Sequence, residues 1–152
     1  MFMVLVQTKY CGINASDINA SDINYTNGAY WPGVQPPFDC GFEALGIVLE
    51  VGPGVTNLKM GDAVASTSYG AFAEHLVAKA KFLIKVPAAV PAVLLNIVCG
   101  LTTSMALEYV GEMNHGETVL ITAAAGATGQ TAVQLAKLGG NHVIGTCDWG
   151  GI

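Results

Sequence analysis

Apolar and β-branched residues crowd the stretch from Met3 to Tyr10 (MVLVQTKY), which predicts a strand. Ala44 to Val51 (ALGIVLEV) predicts a second strand, closed by the turn Gly52-Pro53-Gly54. Lys59-Met60-Gly61-Asp62 predicts another turn, leading into a short strand from Ala63 to Ser66. Gly70 to Val77 and Phe82 to Val86 predict two more strands. Between the first two strands, Tyr25 to Asp39 carries Gly28, Gly33, Pro32, Pro36 and Pro37 and predicts an irregular loop with aromatic residues. Short strands with Gly/Pro turns predict a small barrel.

The texture changes after Pro87. Pro91 to Val98 and Thr102 to Val110 predict two helices, the first opening on Pro91. Thr118 to Thr122 (TVLIT) predicts a buried strand. Gly126 to Leu138 predicts a glycine turn feeding a helix, which Gly139-Gly140 stops. His142 to Thr146 predicts a second strand, completing one βαβ unit. The domain boundary falls near residues 87–90. A direct repeat, Asn14-Ala-Ser-Asp-Ile18 then Asn19-Ala-Ser-Asp-Ile23, breaks the first half. Its odd period inverts the faces of a strand, and its Asn, Asp and Ser suit turns and caps. It predicts a loop with a local duplication.

Composition narrows the classes. Of 152 residues, 52% are hydrophobic and only 11% charged, which excludes a disordered chain. The net charge is −5, and the six Lys+Arg form no cluster. Nucleic acid and anionic membrane surfaces are therefore not expected as partners. The longest apolar stretch, Ala88 to Cys99, is interrupted by Pro91 and is too short for a membrane span. The first residues lack the basic region of a signal peptide, and Cys11, Cys40, Cys99 and Cys147 lie far apart. Reduced thiols are expected, as are unglycosylated Asn14, Asn19 and Asn24, in the cytoplasm. A peroxisomal location is the alternative if the full-length protein ends in such a signal.

The strongest chemical signal is Ala124-Ala125-Gly126-Ala127-Thr128-Gly129, an A-x-G-x-x-G variant of the dinucleotide fingerprint. The chain must turn tightly, approach a pyrophosphate closely and aim helix N–H groups at it. Gly126 permits the approach, Gly129 permits close helix–strand packing, and Thr128 can add a hydroxyl. Ala at position 124 is tolerable if the turn there keeps φ negative. The alternative is a glycine turn that only packs a helix onto a sheet. Asp148 stands nineteen positions after Gly129, near the place of a ribose-binding acid that favours NAD. It is either that acid or an incidental one.

The succession of motifs resembles a known family. It runs Cys11-Gly12-Ile13-Asn14-Ala15-Ser16-Asp17, then Pro37-Phe38-Asp39-Cys40-Gly41-Phe42-Glu43-Ala44-Leu45-Gly46, then Lys59 to Val64, then Gly70-Ala71-Phe72-Ala73-Glu74. Gly100-Leu101-Thr102-Thr103 and the nucleotide turn follow. This order resembles the quinone-oxidoreductase branch of the medium-chain dehydrogenase/reductase superfamily. The resemblance implies an α/β plus β chain. A truncated GroES-like β-barrel domain (1–88) would precede an incomplete Rossmann domain (89–152) with one βαβ unit.

The resemblance further implies NADP(H)-dependent reduction of the activated C=C of α,β-unsaturated ketones, 15-keto-prostaglandin-like lipids among them, or of quinones. NAD(H) is the alternative cofactor. A small-molecule enone or quinone is the implied partner, and a homodimer is allowed in the full-length protein. Zinc-dependent relatives carry Cys where this chain has Asn14 and His where it has Phe42, so no zinc is expected. Hydrogen-bond donors must then stabilise the enolate oxygen, and Asn14, Tyr25 and Tyr30 are the candidates. Each Tyr is equally read as an aromatic that packs the loop. Thr102 would contact the nicotinamide carboxamide. Asp17 and Glu43 resemble structural positions, and Glu74 is read the same way.

Three departures stand out. The duplication leaves open whether Asn14 or Asn19 faces the site. Asp148 replaces a Ser expected beside the 2′-phosphate. One βαβ unit stands where a doubly wound sheet has two βαβαβ halves. The competing reading is a truncated, non-catalytic product with weak or no nucleotide binding.

Overall fold

The structure, a computed structural model, describes residues 2–13, 33 and 37–148. It divides into two compact units, between Leu94 and Leu95.

The first unit is built on a five-stranded antiparallel sheet with strand order β4-β1-β2-β3-β5. The strands are β1 (Met3–Cys11), β2 (Ala44–Val51), β3 (Ala63–Ser66), β4 (His75–Lys79) and β5 (Leu83–Lys85). In β1, Val4 and Val6 point inward and are nearly fully buried, with Leu5 and Gln7 less so. That alternation is the period-2 signal of a half-buried strand. The same rule buries Leu76 and Ala78 of β4. These residues join Val48, Leu58, Val64 and Leu83 in one core. Each buried Val or Leu contributes about 1.5–3 kcal/mol relative to exposure. The β1–β2 register slips between Leu5 and Val6 and again between Thr8 and Tyr10. Such irregularities bend a sheet and increase its twist.

One predicted strand is corrected. Gly70 to Glu74 is not strand, and β4 begins at His75. The N–H groups of Gly70 and Ala71 both donate to the Gly41 carbonyl (3.0 and 3.1 Å), and Phe72 N–H donates to that of Cys40 (3.1 Å). The segment is tied to residues 40–41 before it can join the ladder.

The second unit contains β6 (Thr118–Ile121), α2 (Ala127–Leu138) and β7 (His142–Gly145), with β6 and β7 parallel. This is the predicted βαβ unit. Ala132 and Ala136, one turn apart on α2, are buried with Ile121. Their small side chains let the helix lie close to the sheet. The helix ends as the glycines predict: Gly140 takes φ +77°, and Asn141 N–H reaches back to the Ala136 carbonyl (3.1 Å).

The helical prediction before β6 is also corrected. Pro91–Val110 is a single 20-residue helix, α1. It is α-helical at Pro91–Leu94 and Leu101–Ser104, with wider π-type turns at Asn96–Gly100 and Met105–Val110. Gly100 keeps helical angles (φ −66°, ψ −48°), so the expected break does not occur. Among the described residues, α1 alone is long and apolar enough to cross a bilayer. Its Thr103 is 1% exposed and hydrogen-bonds to the Thr128 carbonyl within the second unit.

Candidate functional site

The nucleotide motif folds as a turn between the end of β6 and the start of α2. Ala123 takes φ +50°, a conformation unusual for a residue with a side chain. Ala124 does not share it, which meets the condition set for an Ala at that position. Ala124 N–H donates to the Thr146 carbonyl (2.9 Å), which ties the turn to the extension of β7. Gly126 N–H closes the turn on the Ala123 carbonyl (2.9 Å).

Gly126 then caps α2 with extended angles (φ −73°, ψ 163°), and its carbonyl accepts the first helical bond, from Gln130 N–H (2.8 Å). The N–H groups of Ala127, Thr128 and Gly129 precede that bond and have no intrahelical acceptor. Gly126, Ala127 and Thr128 are exposed. Gly129 is needed for a different reason. A Cβ there would run into the Ala123 carbonyl oxygen and come within 2.8 Å of Ala124 Cα. Gly129 thus serves packing from inside, while Gly126 is exposed.

Thr103, which sequence reasoning passed over, supports this turn. Its hydroxyl donates to the Cys99 carbonyl (2.7 Å) and lies 3.2 Å from that of Thr128. Thr128 Oγ1 in turn donates to Cys99 Sγ at 3.6 Å. Thr102, the residue singled out by motif, is exposed on α1. Only a spatial signal separates the two: adjacent threonines on a helix face different ways.

Asp148 is exposed and lies just beyond β7. Because β6 and β7 are parallel, their C-terminal ends lie together, with Ile121 paired to Gly145. The segment carrying Asp148 therefore leaves the sheet at the end where the glycine turn sits, the end at which open α/β sheets bind ligands.

In the first unit, Asn14, Tyr25 and Tyr30 lie outside the described residues, as does the repeat with Asn19. Described residues mark where that segment starts. Gly12 N–H donates to the Glu43 carbonyl (3.0 Å), and the buried Glu43 carboxylate fills the space over Gly12. Beside it opens a shallow cavity of about 420 Å³, lined by Thr8, Cys11, Ile13, Phe72 and Glu74 among others. The Thr8 hydroxyl is buried and has no hydrogen-bond partner among the described residues. Phe42 packs edge-on against Tyr69, with ring centroids 5.5 Å apart. Among the described residues, no group of three or more His, Cys, Asp or Glu could hold a metal.

An antiparallel β unit followed by a βαβ unit with a glycine turn has known counterparts. Residues 2–88 match the alcohol dehydrogenase GroES-like domain, and the chain belongs to that family. Its relatives include quinone oxidoreductases and a prostaglandin reductase. Over 146 residues the chain is 52% identical to the probable quinone oxidoreductase of Leishmania amazonensis, covering 95% of this chain and 42% of that protein. Over 145 residues it is 46% identical to prostaglandin reductase-3 of Mus musculus, covering 95% of this chain and 37% of that one. The Escherichia coli quinone oxidoreductase, solved in complex with NADPH, superposes with a TM-score of 0.83 at 33% identity, over 96% of this chain and 44% of that one. The chain thus spans about two-fifths of the length of these curated relatives.

Proposed function

We propose that this chain carries the substrate-side β domain (1–88) and the pyrophosphate-binding part of the nucleotide domain (89–152) of a zinc-free, NADP(H)-dependent reductase of activated C=C bonds. The observation that carries the proposal is the head of α2, where N–H groups without an intrahelical acceptor follow a glycine turn at the C-terminal end of a parallel strand. Ala127, Thr128 and Gly129 N–H groups would hold the pyrophosphate, aided by the partial positive charge of the helix N-terminus. Thr102 would meet the carboxamide, and Asp148 the adenosine ribose. Bound there, the nicotinamide supplies a hydride. The E. coli relative's complex with NADPH supports the choice of NADP(H).

The substrate is an α,β-unsaturated ketone, including 15-keto-prostaglandin-like lipids, or a quinone. The names of the relatives and the apolar cavity beside Cys11 and Phe72 support it. Reduction places negative charge on the carbonyl oxygen, and Tyr25, Tyr30 and Asn14 are the proposed donors that stabilise it. Product analysis tests the reaction in the 152-residue chain and in a protein of the relatives' length. A saturated ketone is expected; a product alcohol that keeps its C=C overturns the assignment. Elemental analysis is expected to find no stoichiometric zinc.

A second reading has its own observation. Leu120 of β6 and Ile144 of β7 are 63% and 47% exposed, so this length of chain leaves its parallel strands poorly covered. On that reading the chain alone binds nucleotide weakly and reduces nothing. Parallel NADPH titrations of the two lengths separate the readings.

A further inference from the structure

The first unit has a second cavity, of about 640 Å³, that the proposed reaction does not use. Phe2, Met3, Gly54, Thr56, Lys79 and Lys81 contribute to its walls. It lies at the opposite end of β1 from the cavity beside Cys11. Eight residue steps of an extended strand separate Met3 from Cys11, roughly 26 Å. Its walls stand on paired backbone. Ala80 N–H donates to the Phe2 carbonyl (2.9 Å), Gly52 N–H donates to that of Met3 (2.8 Å), and Met3 is in register with Lys79. The Phe2 ring lies against Gly54, whose added Cβ would come within 2.9 Å of it.

Two features define what this cavity suits. Its lining is mainly apolar, yet Phe2 remains 65% exposed, a large aromatic left at the edge of a hollow. The charge is the second. The chain has net charge −5 and only six Lys+Arg, and two of these lysines lie at this hollow. Neither Lys79 nor Lys81 has a carboxylate partner among the described residues; Lys81 Nζ instead sits 4.7 Å from the centroid of the Phe82 ring. An apolar pocket with two unneutralised ammonium groups complements an apolar chain that ends in an anion.

We propose that this cavity is a binding site for a single long-chain carboxylate, with the hydrocarbon against Phe2 and Met3 and the carboxylate between Lys79 and Lys81. A volume in the range of small-molecule pockets argues for one chain taken from solution, not for a bilayer surface.

Dodecanoate is the probe, titrated as monomer into the 152-residue chain and followed by calorimetry and amide shifts. Saturable one-to-one binding is expected, with shifts at Gly54, Thr56, Lys79 and Lys81. Dodecan-1-ol should bind at least tenfold more weakly. Both lysines are exposed, so the double variant Lys79→Gln/Lys81→Gln keeps the fold and should lose at least tenfold in affinity for the acid. Thr56→Trp, which plugs the hollow from an exposed position, should abolish binding. Equal affinity for acid and alcohol, an unchanged double variant, or shifts confined to Ile13 and Phe72 overturns the proposal. So does binding to phosphatidylglycerol vesicles without binding of the monomer.

Discussion

At the scale of single residues, the two glycines of the nucleotide turn separate stability from binding. Gly129→Ala forces a methyl group against Ala123 and Ala124 backbone and should cost about 1–3 kcal/mol, read from the denaturant midpoint. Gly126→Ala meets only the Ala123 carbonyl oxygen, at 3.3 Å, and should change stability by about 0.5 kcal/mol or less while weakening dinucleotide binding. Equal losses in both variants would contradict this division. Asp148 sets a second test. A carboxylate near the adenosine 2′ position disfavours a 2′-phosphate by roughly 1–3 kcal/mol. Asp148→Ser should therefore improve NADPH binding about tenfold and, by removing the ribose contact, weaken NADH, in parallel titrations. The motif singles out Gly126, Gly129 and Asp148 because its spacing is local. It missed Thr103, whose partners Cys99 and Thr128 are brought together only by folding.

At the scale of elements, the β2–β3 turn shows how a short motif is locked. Gly61 takes φ +88°, which a side chain disfavours. Asp62 Oδ2 accepts the Lys59 N–H (3.0 Å), and Asp62 Oδ1 pairs with Lys85 Nζ of β5 at 2.8 Å. The Lys85 hydrogen bond, then the Lys59 N–H, hold the Asp62 carboxyl below its ordinary value against the opposing effect of burial. A depressed folded-state pKa contributes stability above the ordinary carboxylate pKa, and that contribution is lost as pH falls through the depressed value. Asp62→Asn should thus be less stable than the parent at neutral pH, and the gap should close in acid. Denaturant midpoints measured across that range check it; a gap independent of pH rules out the ion pair as its source. The turn itself was legible from Lys59-Met60-Gly61-Asp62, but the partner on β5 was not.

At the scale of the whole molecule, the second unit is unusually bare. Leu120, Tyr109, Val110 and Leu138 are 63% to 83% exposed, and the βαβ unit has a small core around Ile121, Ala132 and Ala136. Parallel strands are normally covered on both faces, and large exposed apolar patches promote association. The 152-residue chain should therefore bind a hydrophobic dye and self-associate with concentration in sedimentation velocity. A protein of the relatives' length should do so much less. A monodisperse, dye-negative chain would show that its own packing suffices.

The sequence by itself determined the strands β1, β2 and β3 nearly to the residue, the βαβ unit and the glycine turn. Period-2 alternation, glycine placement and helix stops are properties of neighbouring residues, so they can be read along the chain. Tertiary structure alone decided that Gly70 to Glu74 leaves the sheet, because the competing carbonyls belong to Cys40 and Gly41. It decided that α1 runs unbroken through Gly100, where helical neighbours outweigh a weak local preference against helix. It also placed Thr103, not Thr102, against the turn and put two lysines beside one apolar hollow. Apart from the unbroken helix, these outcomes rest on partners distant in sequence, and only the folded backbone brings such partners within bonding distance.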